Sequence, residues 1–88
     1  MIKHINIIIY GDIKEISFGF QTMLAADKYN VKGKFYYLKA GNAHIEAEAT
    51  QQQLDDFLKF CKKIPQAVIN DIKITEGNRL FYNEFEIN

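Results

Sequence analysis

The 88-residue chain has no tryptophan, one cysteine, one proline and one arginine, and its formal charges sum to zero. Each shortage closes a class of explanation. A lone cysteine, Cys61, makes neither an internal disulfide nor a cysteine-rich zinc site, so a hydrophobic core must hold the fold and the chain suits a reducing compartment. With a single proline (Pro65) and five glycines there is no linker or low-complexity stretch, and the length suits one domain over residues 1–88. Eleven basic side chains balance eleven acidic ones, with a pI near 6.7. A nucleic-acid grip usually needs a strong positive excess, so this balance argues against one. The apolar run Ile5, Ile7, Ile8, Ile9 is far too short to span a bilayer, and no small-residue cleavage site follows it. A cytosolic protein with no targeting segment and no membrane contact is expected.

What is present looks globular. Hydrophobic residues make up 48% and charged ones 25%, proportions that exclude disorder, collagen and coiled coil. Lys3–Tyr10 alternates, with Ile5, Ile7 and Ile9 on one side and Asn6, Ile8 and Tyr10 on the other, which is a strand of period two. From Phe18 the period changes. Phe18, Thr22, Ala25, Ala26 and Tyr29 form a helical stripe, with Ser17 placed to N-cap it and Asn30 to stop it. Gly19 sits in the first turn, where it weakens a helix by up to ~1 kcal/mol against alanine.

Val31–Leu38 reads as a second strand, residues 39–42 as a turn around Gly41 and Asn42, and Ala43–Ala49 as the returning arm of a hairpin. Thr50-Gln51-Gln52-Gln53 is a capping box opening a second helix. Leu54, Phe57, Leu58, Cys61 and Ile64 form its buried stripe. Val68–Glu76 is a fourth strand, Gly77-Asn78 a turn, and Leu80–Ile87 a final extended segment. The order β-α-β-β-α-β specifies an α+β, ferredoxin-like plait. It predicts one antiparallel sheet, two helices on one face, and the first and third strands in the middle.

The plait alone decides no function. Gly11-Asp12-Ile13-Lys14-Glu15-Ile16-Ser17-Phe18-Gly19 resembles the acylphosphatase signature G-x-V-Q-G-V-x-F-R at Gly11, Ile13, Ile16 and Phe18. Ala26 then falls on the family's helix alanine, Val31 and Gly33 on its L-x-G step, and Lys34-Phe35-Tyr36-Tyr37 on its W-V-x-N segment. Gly41 falls on the turn D-G and Ala47-Glu48 on the A-E that follows. Phe57-Leu58, Pro65, Ala67, Ile69 and Phe85-Glu86-Ile87 meet the later pattern. The resemblance covers nearly the whole chain.

It implies hydrolysis of carboxyl-phosphate anhydrides. In the family a glycine-rich loop cradles the phosphate with backbone N–H groups, an arginine clamps the phosphoryl oxygens, and an asparagine positions the attacking water. Here Gly19 stands at the arginine position and Tyr37 at the asparagine position. Arginine offers a fixed fork of donors, and glycine offers none. Losing one such donor usually costs roughly 3–4 kcal/mol in the transition state. Asp12 and Glu15 also bring negative charge to the loop, and Lys14 offsets only one of them. At ~4 Å and an effective dielectric of ~20, each carboxylate repels a unit anion by about 4 kcal/mol before screening. The helix dipole returns only ~1 kcal/mol.

The expectation is therefore a monomeric acylphosphatase-like protein without efficient hydrolysis, needing no cofactor or metal. Its ligand loop, Gly11, Asp12, Ile13, Lys14, Glu15, Ile16 and Ser17, would then serve recognition of a small molecule or a protein. The alternative is weak hydrolysis through backbone amides, Lys14 and a water held by Tyr37. Arg79 is expected away from this loop. His44, Glu46 and Glu48 share the polar side of the third strand, expected as a solvated face rather than a metal or acid–base site. Cys61 is expected buried and inert, and Lys59, Lys62 and Lys63 as a complement to the dipole of the second helix. Tyr10 and Tyr36 share the uncovered sheet face with Asn6, Lys34 and His44, but the paired aromatic RNA-binding motif is absent.

Overall fold

The computed structural model describes residues 1–13 and 17–88. In chain order the elements are β1 (Lys3–Asp12), α1 (Phe18–Tyr29), β2 (Lys32–Tyr37), β3 (Ala43–Ala49), α2 (Gln51–Lys62), β4 (Val68–Gly77) and β5 (Phe85–Ile87). The sheet order is β4-β1-β3-β2-β5, so β1 and β3 occupy the middle. Ile5, Ile7 and Ile9 of β1, Ala43, Ile45 and Ala47 of β3 and Phe35 of β2 are buried on one face. Phe18, Thr22, Ala25 and Ala26 of α1 and Leu54, Phe57 and Cys61 of α2 are buried with them. Side chains the size of Phe18, Phe35 and Phe57, all fully buried, each contribute about 2–3 kcal/mol by leaving water.

Four strands pair antiparallel, and β5 joins β2 in parallel. The sheet is thus mixed, for a topological reason. β4 finishes at Gly77 opposite His4, at the end of the sheet where Lys32 opens β2 opposite Glu48. A chain that crosses along that end re-enters beside β2 only in β2's own direction.

The second helix starts as its sequence dictates: the Gln53 N–H donates to Thr50 Oγ1 (3.3 Å) and the Thr50 N–H to Gln53 Oε1 (2.8 Å). Asn30 closes α1 in the left-handed region, its N–H reaching the Ala26 and Asp27 carbonyls. Ser17 holds the N-cap position but makes no capping hydrogen bond with its side chain. Its backbone is left-handed (φ 55°), whereas a capping hydroxyl reaches the helix from an extended backbone.

Leu80–Ile87 is strand only over Phe85–Ile87. The segment 78–84 crosses the open side of the sheet as a strap, which corrects the expected solvated face. The Leu80 N–H donates to Glu48 Oε2 (2.6 Å) and the Tyr82 N–H to Glu48 Oε1 (3.1 Å). The Tyr82 hydroxyl donates to Glu46 Oε2 (3.1 Å), and the Tyr82 ring stacks on His4 at 6.5 Å. Glu48 is 2% exposed and His4 4%. His44 and Glu46 are half-buried. A carboxylate that accepts two backbone amides can be buried, and the amides it holds belong to the segment that buries it.

Candidate functional site

Sequence spacing points to the junction of β1, α1 and β2. β1 runs further than its alternation predicts, through Gly11 and Asp12, which pair with Ile69 and Val68 across a register shift after Tyr10. Gly11 is needed there for close approach: a Cβ on it would lie 1.9 Å from the Val68 carbonyl oxygen. Its N–H donates to Asn42 Oδ1 (3.4 Å), from the turn where the Leu38 N–H meets the Asn42 carbonyl (2.7 Å). Asp12 is exposed, and Ile13 is buried in the core. Lys14, Glu15 and Ile16 lie outside the described residues. Ser17 is exposed, and its carbonyl accepts the Gln21 N–H (3.1 Å).

Gly19 and Tyr37, which share no neighbourhood in sequence, meet. The Gly19 N–H donates to the Tyr37 hydroxyl (3.3 Å). Tyr37 packs edge-on against Phe35 at 5.0 Å, and Phe35 lies 6.1 Å from Phe18. A Cβ built on Gly19 would sit 2.8 Å from Phe35 Cε1 and 3.0 Å from Cδ1. Phe35 is fully buried, so its ring fills the space into which a side chain at residue 19 would project. Sequence reasoning found Gly19 and Tyr37 but missed Phe35 and Asn42. The signal for Phe35 was present: a bulkier residue on the V of W-V-x-N accompanies a smaller one at the arginine position.

The sequence model of the acylphosphatase family matches residues 5–87. The chain belongs to the acylphosphatase family. An acylphosphatase from Ligilactobacillus salivarius is 29% identical over 87 residues, covering 97% of each chain. The crystal structure of acylphosphatase from Bacillus subtilis superposes with a TM-score of 0.93 at 26% identity, over 100% of this chain and 99% of that one. Full-length HypF, in its phosphate- and nucleotide-bound form, gives 0.93 at 29% identity over 100% of this chain and 12% of that one. The acylphosphatase fold is thus complete in this chain, and the signature loop joins the same two elements as its spacing implies.

Elsewhere the polar groups form two further sets. On the open face the Tyr36 hydroxyl and His44 Nδ1 are 2.7 Å apart, and His44 Nε2 lies 3.2 Å from Asn6 Oδ1. Every donor meets an acceptor if Tyr36 donates to Nδ1 and Nε2–H donates to the amide oxygen. Burial, then the Glu46 charge, raises the Tyr36 hydroxyl above its ordinary value, which keeps it a donor. At the far end of β1, His4 Nδ1 donates to Glu48 Oε2 (2.7 Å), and Arg79 Nε lies 3.9 Å from Glu48 Oε1. Arg79 therefore belongs to the strap end and not to the signature loop.

Burial alone would raise the Glu48 carboxyl. The Leu80 amide, His4 and the Tyr82 amide together hold it below the ordinary range. The Tyr82 hydroxyl is pushed up to about 12 by burial and by its bond to Glu46. Cys61 is buried as expected, and burial raises its thiol to about 12, opposed by Thr22. Among the described residues no three His, Cys, Asp or Glu side chains converge to hold a metal ion. No helix among them is long and apolar enough to cross a membrane.

Proposed function

We propose that this acylphosphatase-family chain does not hydrolyse carboxyl-phosphate anhydrides efficiently, and that the Gly11–Ser17 loop with the Gly19/Tyr37 pocket serves recognition of a small molecule or protein. One observation carries the reading. The Gly19 amide, which would face an incoming phosphoryl oxygen, is met by the Tyr37 hydroxyl, and the space beside Gly19 is taken by Phe35. A phosphate bound there would displace a satisfied hydrogen bond and gain no arginine fork from residue 19 in return. That absence is worth roughly 10²–10³ in rate for one preorganised donor, and a cationic clamp is worth more. Exposed Asp12 adds repulsion.

Benzoyl phosphate hydrolysis tests the reading. The wild type is expected at the uncatalysed rate, and the triple variant Gly19→Arg, Phe35→Val, Tyr37→Asn well above it. The double variant that keeps Phe35 should turn over less than the triple one, because the ring stands where the new side chain must pass. Turnover by the wild type would overturn the proposal in favour of weak hydrolysis through backbone amides, Lys14 and a Tyr37-held water.

A further inference from the structure

A cavity of about 400 Å³ opens on the helical side of the molecule, lined by Tyr29 at the end of α1, Asp56, Lys59 and Phe60 of α2, and Lys63, Ile64 and Pro65 beyond it. Its volume falls in the range of small-molecule sites, ~300–1,000 Å³. Asp56, Lys59 and Phe60 share one face of α2, and Lys63, Ile64 and Pro65 follow directly after its end.

The floor is apolar and aromatic. Tyr29 and Phe60 meet edge to face at 6.4 Å, with Ile64 and Pro65 beside them. The rim is cationic. Lys59 and Lys63 are exposed, and among the described residues neither is in an ion pair. Lys28 Nζ lies 5.4 Å from the Tyr29 ring centroid and 5.8 Å from that of Phe60. Asp56 is the one acid in the lining, and Gln52 Nε2 donates to its Oδ1 (3.1 Å). The lining thus carries two ammonium groups against one carboxylate, with the Lys28 ammonium beside its rings, in a chain whose formal charges sum to zero. The partial negative charge at the α2 C-terminus, about half an elementary charge, does not cancel that excess.

We propose that this cavity binds a small organic anion, with a flat apolar body against Tyr29, Phe60 and Pro65 and a carboxylate or sulfonate between Lys59 and Lys63. The two features select together: an inorganic anion gains nothing from the aromatic floor, and a neutral ring gains nothing from the lysines. The site is separate from the signature loop and does not rest on the reading given for it.

The probe is 8-anilinonaphthalene-1-sulfonate, followed by its fluorescence and by backbone amide shifts, with naphthalene-2-carboxylate and neutral naphthalene-2-methanol as competitors. Saturable one-site binding is expected, displaced by the carboxylate, with shifts centred on Tyr29 and residues 56–65. Lys59→Gln with Lys63→Gln removes two exposed charges and keeps good helix formers, so the fold stays intact for the comparison. It should weaken the carboxylate roughly tenfold and leave the alcohol unchanged. The proposal is overturned if the alcohol competes as well as the carboxylate, or if the lysine variant changes nothing. Shifts centred instead on exposed Leu80 and Phe81 would overturn it as well.

Discussion

At one end of β1 the Gly11 and Gly19 amides meet neutral oxygens at 3.4 and 3.3 Å. At the other end His4 and the Leu80 amide meet the Glu48 carboxylate at 2.7 and 2.6 Å. The first pair is long and uncharged, the second short and charge-assisted, and charge-assisted bonds are roughly twice as strong. Among the described residues, short charge-assisted contacts fasten the 78–84 strap, while Gly11 and Gly19 of the signature make long uncharged ones. The fold therefore keeps its apolar register while the short charge-assisted bonds described lie at the end of β1 away from the signature.

The sharpest way to break that comparison is at Glu48. Glu48→Gln keeps the shape and loses the charge, and should cost about 2 kcal/mol of unfolding free energy, read from urea midpoints. The pH dependence follows from the same group. Its folded carboxyl lies below the ordinary 4.5, so its stabilisation is complete above that value and is lost as pH falls through the folded one. The acid limb of the wild-type stability profile should flatten in Glu48→Gln. If both proteins lose stability alike on acidification, the carboxylate does not fasten the strap.

Smaller effects are expected further along each chain of contacts. Tyr82→Phe removes the bond to Glu46 and should cost about 1 kcal/mol in the same urea measurement. Tyr37→Phe, at the opposite end, removes only the long bond from the Gly19 amide and should cost about 0.5 kcal/mol. A cost at Tyr37 equal to or above that at Tyr82 would reverse the contrast between the two ends.

Much of this was legible beforehand because it follows from periodicity. The alternation of Ile5, Ile7 and Ile9 fixes the buried face of β1, and Thr50 and Gln53 announce their reciprocal bonds by spacing alone. The catalytic positions Gly19 and Tyr37 were legible by their place in the signature. The strap was not. Leu80 and Phe81 look like strand residues yet are 58% and 68% exposed, and Phe81 takes a left-handed backbone (φ 58°). The Leu80 and Tyr82 amides, both bound to Glu48, set that path, and it depends on the register His4↔Glu48, which no local pattern carries. His4 shares the parity of Asn6 and Tyr10, so its face was readable but its partner was not. Phe35 against Gly19 is likewise a contact between the first turn of α1 and the middle of β2, invisible until both are packed.

The crossing of residues 78–84 also sets an order of events in the cell. β1 is made before residues 78–87, yet its His4 stacks on Tyr82 and the β2 edge is covered by β5. Contacts so distant in sequence close slowly. Synthesis proceeds at about 5–20 residues per second, so during elongation the growing chain carries its buried carboxylate and an open strand edge without their cover. Completion of this fold waits for residues 78–87 to leave the ribosome.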